Sequence, residues 1–374
     1  MKELVGPHIA SLQPYVPGKP IEEVRRERGL TGEILKMASN ENPLGPSPKA
    51  VAAARIALME GHLYPDGGAF YLRERLARHH DVPMERVLVG NGSNELLEIV
   101  VRTFCQPGDH VVTSKYAFIV YKLAAQACNV EATEVPMGED LRFDLPALAD
   151  AIGPRTRAVF IANPNNPTGT YVTRAELTAF LQSASIQEFR PLVVMDEAYI
   201  EYADAGDYPD SLELHGLYDR LVSMRTFSKC YGLAALRIGY CISSAEVIGY
   251  MNRVRAPFNA NRVGQVAALA ALDDVEFVRS SVAVNRSGRV QIMQGLDELG
   301  VSAWPSQANF VLCRLPRRGV EVYEELLDRG VIVRPMAGYG LAECVRISVG
   351  TPQQNLKMLS ALRAVLAADD HAPR

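Results

Sequence analysis

Tryptophan, paired cysteines, repeats and long apolar runs are scarce or missing in this chain, which has one tryptophan in 374 residues. No stretch reaches the ~18 consecutive apolar residues that a spanning helix requires, so no membrane partner is expected. The first twenty residues, MKELVGPHIASLQPYVPGKP, lack the apolar core of a secretory signal. No two cysteines form a CxxC. Cys105, Cys128, Cys230, Cys241, Cys313 and Cys344 mostly sit in apolar runs. They read as small buried hydrophobes in a reducing compartment, so a cytoplasmic protein without disulfides or a metal site is expected. An excess of one charge is also lacking. Lys and Arg number 39 against 43 Asp and Glu, a net charge of −4. The signs are well mixed, which argues against a nucleic-acid groove or an anionic membrane surface. The basic cluster Arg25-Arg26-Arg28 alternates with Glu22, Glu23 and Glu27 and reads as a solvated amphipathic segment.

What is present divides the chain in two. The length is comfortable for two cores. The first 48 residues hold Pro14, Pro17, Gly18, Pro20, Pro43, Gly45, Pro46 and Pro48, and predict an extended arm. Such an arm needs a surface to lie on, and a partner subunit is expected to provide it. From about residue 49 short apolar runs alternate with helical patterns. The runs are Arg86–Val89, His110–Thr113, Arg157–Ala162, Pro191–Met195, Arg220–Met224 and Arg237–Ile242. The helical patterns include Asn94–Phe104, Tyr121–Cys128 and Arg174–Ser185. This alternation predicts an α/β fold, a mainly parallel sheet between helices over residues 46–258, with ligands at the carboxyl ends of its strands. Helical stretches Asn261–Ala271 and Glu276–Leu299 follow. Strands Asn309–Cys313 and Val345–Val349 come next, flanked by helices Val320–Arg329 and Gln353–Ala367. Residues 1–45 and 259–374 are therefore expected to form the arm and a smaller α+β domain.

Four motifs carry chemistry, each just past an apolar run. Gly90-Asn91-Gly92-Ser93-Asn94-Glu95 opens a helix with small residues, a ready anion site in which Ser93 and Asn94 would meet a phosphate. Asn163-Pro164-Asn165-Asn166-Pro167-Thr168-Gly169 is a rigid turn that could aim the Asn166 amide. Asp196 ends the apolar run Val193-Val194-Met195, a costly place for an anion without a partner; a protonated pyridine nitrogen is such a partner, and Tyr199 lies three residues on. Lys229 follows Thr226 and Ser228 and precedes Arg237, so an amine able to form an imine stands beside phosphate-binding groups. Read one at a time, these residues also fit a surface lysine on a serine-rich turn, a helix N-cap aspartate and a purely structural turn.

Together, and in this order, the motifs resemble the fold-type I pyridoxal-phosphate aminotransferases, and within them the histidinol-phosphate aminotransferase family. Ala38–Ala50, Tyr64-Pro65-Asp66-Gly67 and Val345–Gly350 extend the resemblance over nearly the whole chain. It implies pyridoxal 5′-phosphate as cofactor, with Lys229 as its Schiff-base lysine and proton shuttle. Asp196 would pair with the pyridinium, and Tyr199 and Asn166 with its O3′. Ser93, Asn94, Thr226, Ser228 and Arg237 would surround the phosphate. Phe118 matches the ring-stacking position, with Tyr116 and Tyr121 as alternatives. Tyr64 would reach the cofactor phosphate of the other subunit, which implies a homodimer. Arg346 would hold an amino-acid carboxylate and Arg334 the substrate phosphate. Tyr15 would cross from the partner arm to that same phosphate, and Asn42 would line the mouth of the site.

The implied reaction is a ping-pong exchange of histidinol phosphate and 2-oxoglutarate for imidazole-acetol phosphate and glutamate, a step of histidine biosynthesis. An aromatic amino-acid aminotransferase on the same scaffold is the main alternative. Arg334 and Tyr15 together favour a phosphorylated substrate, whereas Phe258 stands where some members of the family have tyrosine. A decarboxylase of a phosphorylated amino acid is a further alternative. A non-enzymatic regulator would need a fused DNA-binding segment, for which the proline-rich arm is too short.

Overall fold

The computed structural model describes residues 4–15 and 17–369. The outermost residues of the two expected terminal ranges, 1–3 and 370–374, lie outside this description, as does residue 16.

A seven-stranded sheet forms the larger core. Its spatial order is Val87–Gly90, Gly239–Ile242, Leu221–Thr226, Leu192–Asp196, Thr156–Ala162, His110–Ser114 and Glu131–Val135. Gly239–Ile242 runs antiparallel to both neighbours, and the other pairings are parallel. The central strands are apolar along their length because helices cover both faces. Val193, Val194, Met195, Val222 and Met224 are fully buried. Helix Ser93–Phe104 packs Leu96, Leu97, Val100 and Val101 into the same core.

Each of the six expected apolar runs forms a strand close to its expected bounds. The last is shorter at its start, where Arg237 adopts a left-handed conformation with φ 55° and the strand begins at Gly239. Glu131–Val135 was not expected, since its polar sequence EATEV belongs to an edge strand and carries no apolar run. The expected helix Arg174–Ser185 is two helices, Arg174–Leu181 and Ala184–Phe189. The first begins with a capping box in which Thr173 and Glu176 satisfy each other's backbone amides.

The second core is built on the antiparallel sheet Arg334–Pro335, Cys344–Ser348, Phe310–Arg314 and Ser302–Ala303. Leu35–Lys36 pairs in parallel with Val331–Ile332, and Val24, Leu35 and Met37 join the cluster around Ile292, Val311, Leu326 and Val345. Residues of the N-terminal segment thus belong to this core. Helix Arg262–Leu272, expected with the smaller domain, instead packs on helix Pro48–Leu58. Its Ala267, Ala268 and Ala271 share a cluster with Ala50, Leu72 and Tyr240. The same cluster takes in Ala308 and Phe310, so the apolar cores do not part at a single point along the chain.

The arm's short helix Pro7–Ala10 lies against helix Val120–Ala127 of the same chain. Gln126 Nε2 donates to the His8 carbonyl at 3.0 Å and to Ser11 Oγ at 3.2 Å.

Candidate active site

The carboxyl ends of strands Val87–Gly90, Thr156–Ala162, Leu192–Asp196 and Leu221–Thr226 open into one cavity, closed on the far side by strands Arg334–Pro335 and Cys344–Ser348. Every expected site residue except Tyr64 and Asn42 lines it.

One end is built for a phosphate. Gly92 takes φ 79° as the residue before helix Ser93–Phe104, which leaves the amides of Ser93 and Asn94 without partners inside the helix. A Cβ on Gly92 would lie 2.5 Å from Arg237 Nη2, so the bare glycine is what allows the guanidinium to reach the loop. Arg237 Nη1 donates to the Ala234 carbonyl at 3.1 Å and lies 3.5 Å from Ser228 Oγ. Thr226 Oγ1 donates to the Ile238 carbonyl at 3.3 Å and accepts from the Ser228 amide at 3.1 Å. A helix N-terminus, three side-chain hydroxyls and a guanidinium thus face one small volume, a set of donors suited to a dianion.

The centre holds Lys229 and Asp196. Lys229 Nζ donates to the Ser39 carbonyl at 3.3 Å. Burial, reinforced by the Arg346 charge, pushes its amine down to about 8. Asp196 is 6% exposed. Its Oδ2 accepts from the Tyr121 hydroxyl at 2.8 Å, while Oδ1 is buried with no hydrogen-bond partner among the described residues. Burial raises the Asp196 carboxyl, and the Tyr121 hydrogen bond opposes that rise. Tyr199 presents its edge to Phe310 and accepts from Asn40 Nδ2 at 3.0 Å; burial lifts its phenol to about 12. Phe118 lines the cavity. Tyr121 stands behind it, edge to face with Phe118, and does not line the cavity.

The other end is cationic. Arg334 and Arg346 are directly paired across two antiparallel strands, so both side chains project from the same face. Arg346 Nη2 donates to the Ala38 carbonyl at 2.7 Å, and Nη1 donates to Asn166 Oδ1. Its Nε is buried without a hydrogen-bond partner among the described residues, and its guanidinium lies over the Phe310 ring at 5.1 Å. Arg334 lies over the Tyr15 ring at 5.8 Å. Two cations side by side are unfavourable unless anions come between or beside them.

One expectation is corrected. Asn42 does not line the cavity. Its Nδ2 donates to the Cys230 carbonyl at 2.7 Å and to Ser281 Oγ at 2.8 Å, and Oδ1 accepts from the Leu44 amide. Asn40 lines the mouth in its place, because its φ of 57° turns the chain and its amide is held between Tyr199 and Ser348. Tyr15 lines the cavity, against Arg334. Asn166 lines the cavity, where its Oδ1 accepts from Arg346. Tyr64 lies away from the cavity, 80% exposed and stacked on Phe258 with centroids 4.7 Å apart. Sequence reasoning missed Ser39, Asn40 and Tyr339 as lining residues. The Ser39-Asn40 pair lay inside the quoted Ala38–Ala50 stretch, but no local signal told Asn40 from Asn42.

The residues present fit pyridoxal 5′-phosphate. The orphaned Asp196 Oδ1 calls for a buried donor such as a protonated ring nitrogen, and the glycine-cleared cradle at Ser93, Asn94 and Arg237 calls for a phosphate. Lys229, depressed into the range where its neutral form is accessible, lies in the same cavity as both.

Known proteins identify the family. Residues 32–362 match the family model described as aminotransferase class I and II. A histidinol-phosphate aminotransferase of Anaeromyxobacter sp. (strain Fw109-5) is 51% identical over 366 residues, covering 98% of this chain and 100% of that protein. Histidinol-phosphate aminotransferase 2 of Pseudomonas fluorescens (strain ATCC BAA-477) is 48% identical, over 97% of this chain and 98% of that protein. The crystal structure of histidinol-phosphate aminotransferase from Sinorhizobium meliloti in complex with pyridoxal-5′-phosphate superposes with a TM-score of 0.87 at 29% identity. It covers 97% of this chain and 98% of that one. A cavity that places a phosphate cradle, a depressed lysine and an unpaired buried carboxylate oxygen in one line is thus carried by a chain that belongs to the class I and II aminotransferases and, within them, to the histidinol-phosphate aminotransferase family.

Proposed function

We propose that this chain is a pyridoxal-phosphate-dependent histidinol-phosphate aminotransferase. It exchanges an amino group between histidinol phosphate and 2-oxoglutarate, giving imidazole-acetol phosphate and glutamate. The observation that carries the substrate reading is the cross-strand pair Arg334 and Arg346, two guanidiniums on one face above Lys229, Arg334 with Tyr15 beside it. That pair suits substrates that bring a phosphate dianion in one half of the reaction and two carboxylates in the other.

Pyridoxal phosphate, when bound, supplies an aldehyde that condenses with amines and a cationic ring that draws off the charge left when the substrate Cα loses its proton. Ser93, Asn94, Thr226, Ser228 and Arg237 would hold its phosphate. Asp196 Oδ1 would accept from the ring nitrogen, and Tyr199 would donate to the ring hydroxyl from a ring that Asn40 and Phe310 hold in place. Phe118 would flank the ring. As a neutral amine Lys229 would take the Cα proton and, once protonated, would return it to the cofactor's aldehyde-derived carbon, which lies across the nitrogen from Cα. A value near about 8 suits both directions of that transfer. Arg346, anchored on Ala38 and Asn166, orients the α-carboxylate of glutamate, and Arg334 with Tyr15 takes the substrate phosphate or the second carboxylate. Burial of Lys229, Asp196 and Arg346 keeps water from competing for these groups.

A homodimer belongs to the same proposal. Met59 is 82% exposed, and Ile56, Leu63, Tyr64, Tyr71 and Phe258 extend an apolar surface that a second copy would cover. Tyr64 would then reach the partner's phosphate cradle. Residence in the cytoplasm is part of it as well and is consistent with six unpaired cysteines. No helix among the described residues is long and apolar enough to cross a membrane.

The test is a comparison of kcat/KM for histidinol phosphate and for phenylalanine, each with 2-oxoglutarate, read as glutamate formed. The expected preference for the phosphate ester is roughly 100-fold, the worth of one charge-assisted phosphate contact. A preference for phenylalanine would move the chain to the aromatic aminotransferases.

A further inference from the structure

We infer that Tyr121 is a positioning residue for the amino transfer, acting through Asp196 by holding one carboxylate oxygen so that the other is left for the cofactor ring. The inference rests on the pyridoxal-phosphate reading above.

The two oxygens of Asp196 are unequal. Oδ2 accepts from the Tyr121 hydroxyl at 2.8 Å, and Oδ1 has no partner. An aspartate ends in a carboxylate that rotates about one bond, and the torsion is broad. The Ala198 backbone amide also favours the ionised group, and among the described residues the Tyr121 hydroxyl is the side-chain donor bonded to it, which sets its direction. The other oxygen belongs to a side chain that lines the cavity.

Tyr121 is itself immobilised. It is 0% exposed, lies parallel to Phe160 with centroids 5.1 Å apart at 11°, and meets Phe118 edge to face at 5.8 Å. Phe160 stands on strand Thr156–Ala162, which pairs directly with the strand that ends in Asp196. The phenol therefore references the carboxylate to the sheet. Burial and the neighbouring Asp196 hold the Tyr121 phenol well above its ordinary value, so the hydroxyl stays a donor throughout the working pH range. Such a donor favours the ionised carboxylate against the pull of burial, which is to lower its affinity for a proton, so a proton shared with a bound ring would stay on the ring nitrogen.

A phenol that merely filled space would tolerate loss of its hydroxyl. The test uses holoenzyme carrying pyridoxal phosphate labelled with ¹⁵N in the ring, comparing wild type with Tyr121→Phe. The readouts are the ring ¹⁵N chemical shift and kcat with histidinol phosphate. The expected result is a ¹⁵N shift displaced toward that of the unprotonated ring, with kcat lower by roughly tenfold, the worth of one hydrogen bond to a charged group. KM is expected to change little, since Tyr121 does not line the cavity. Site-specific 3-fluorotyrosine at position 121 keeps the shape and changes the acidity of the donor. It is expected to displace the ¹⁵N shift by a smaller amount, and it serves if Tyr121→Phe does not fold. Wild-type and substituted enzymes with the same ¹⁵N shift and the same kcat would overturn the role of Tyr121 alone. A wild-type protein that takes up no labelled cofactor would overturn both this inference and the reading beneath it.

Discussion

Arg334 and Arg346 face each other across an antiparallel register, with Arg346 anchored on the Ala38 carbonyl and Arg334 lying over the ring of Tyr15. One guanidinium is deep and braced by Asn166; the other is nearer the mouth, beside the arm. Their different surroundings separate their expected effects. Replacing Arg334 with Gln removes a charge-assisted contact worth about 2–3 kcal/mol. The expected loss in kcat/KM for histidinol phosphate is roughly 30- to 100-fold, mostly in KM. Steady-state kinetics on both substrates check this, and an unchanged KM for the phosphate ester would remove Arg334 from the site.

Lys229→Ala is expected to abolish amino transfer, by roughly 10⁴-fold or more, because both the covalent attachment and the proton carrier are lost. Borohydride reduction followed by intact mass spectrometry gives an independent check. Wild-type protein should gain the mass of a reduced cofactor, and Lys229→Ala should not.

The buried amine predicts a pH dependence with a definite sign. Only the neutral amine condenses with an aldehyde, and in the cofactor-free protein Lys229 titrates near about 8. Uptake of pyridoxal phosphate should therefore quicken as pH rises through 8 and level off above it, well below the ~10.4 of an ordinary lysine. The Arg346 charge contributes to the depression, so Arg346→Gln should move the inflection upward. Stopped-flow absorbance on mixing the cofactor-free protein with pyridoxal phosphate reads both, and an inflection near that of free lysine would contradict the buried placement.

Gly92→Ala tests the cradle. The new Cβ would require a left-handed backbone at φ 79° and would fall 2.5 Å from Arg237 Nη2. Displacing that guanidinium should raise the Kd for pyridoxal phosphate roughly tenfold or more, with little loss of fold. Equilibrium dialysis alongside thermal melting distinguishes the two effects.

Mixing tests the shared site. Tyr64→Ala and Lys229→Ala chains, each defective alone, should regain activity when unfolded and refolded together. A mixed dimer holds one site with Lys229 and a partner's Tyr64, and random pairing gives about a quarter of the sites intact. No recovery in a mixture shown by mass spectrometry to contain mixed dimers would place Tyr64 outside the partner's site.

The strands and loops that position the cofactor motifs are legible because each of the four motifs follows a run of apolar residues whose length and composition suit a buried strand. Asp196 after Val193-Val194-Met195 is such a case, and so is Lys229 after the strand ending at Thr226. What stayed hidden depends on contacts far apart in sequence. Asn40 and Asn42 are alike locally, and only the turn at Asn40 and the distant partners Tyr199, Ser348 and Ser281 decide which one faces the cavity. The same holds for Tyr121, whose tie to Asp196 joins residues 75 positions apart. The edge strand Glu131–Val135 escaped because solvent on its outer side allows polar residues there.

The chain between Ala38 and Asn40 accepts from Arg346 at Ala38 and from Lys229 at Ser39, and Asn40 joins Tyr199 to Ser348. One ribbon of three residues thus sets the span between the group that grips a substrate and the group that carries its proton. Substrate choice can then drift through the arm and the Arg334 strand while that span stays fixed, so a lineage can explore new amino donors without rebuilding the proton relay.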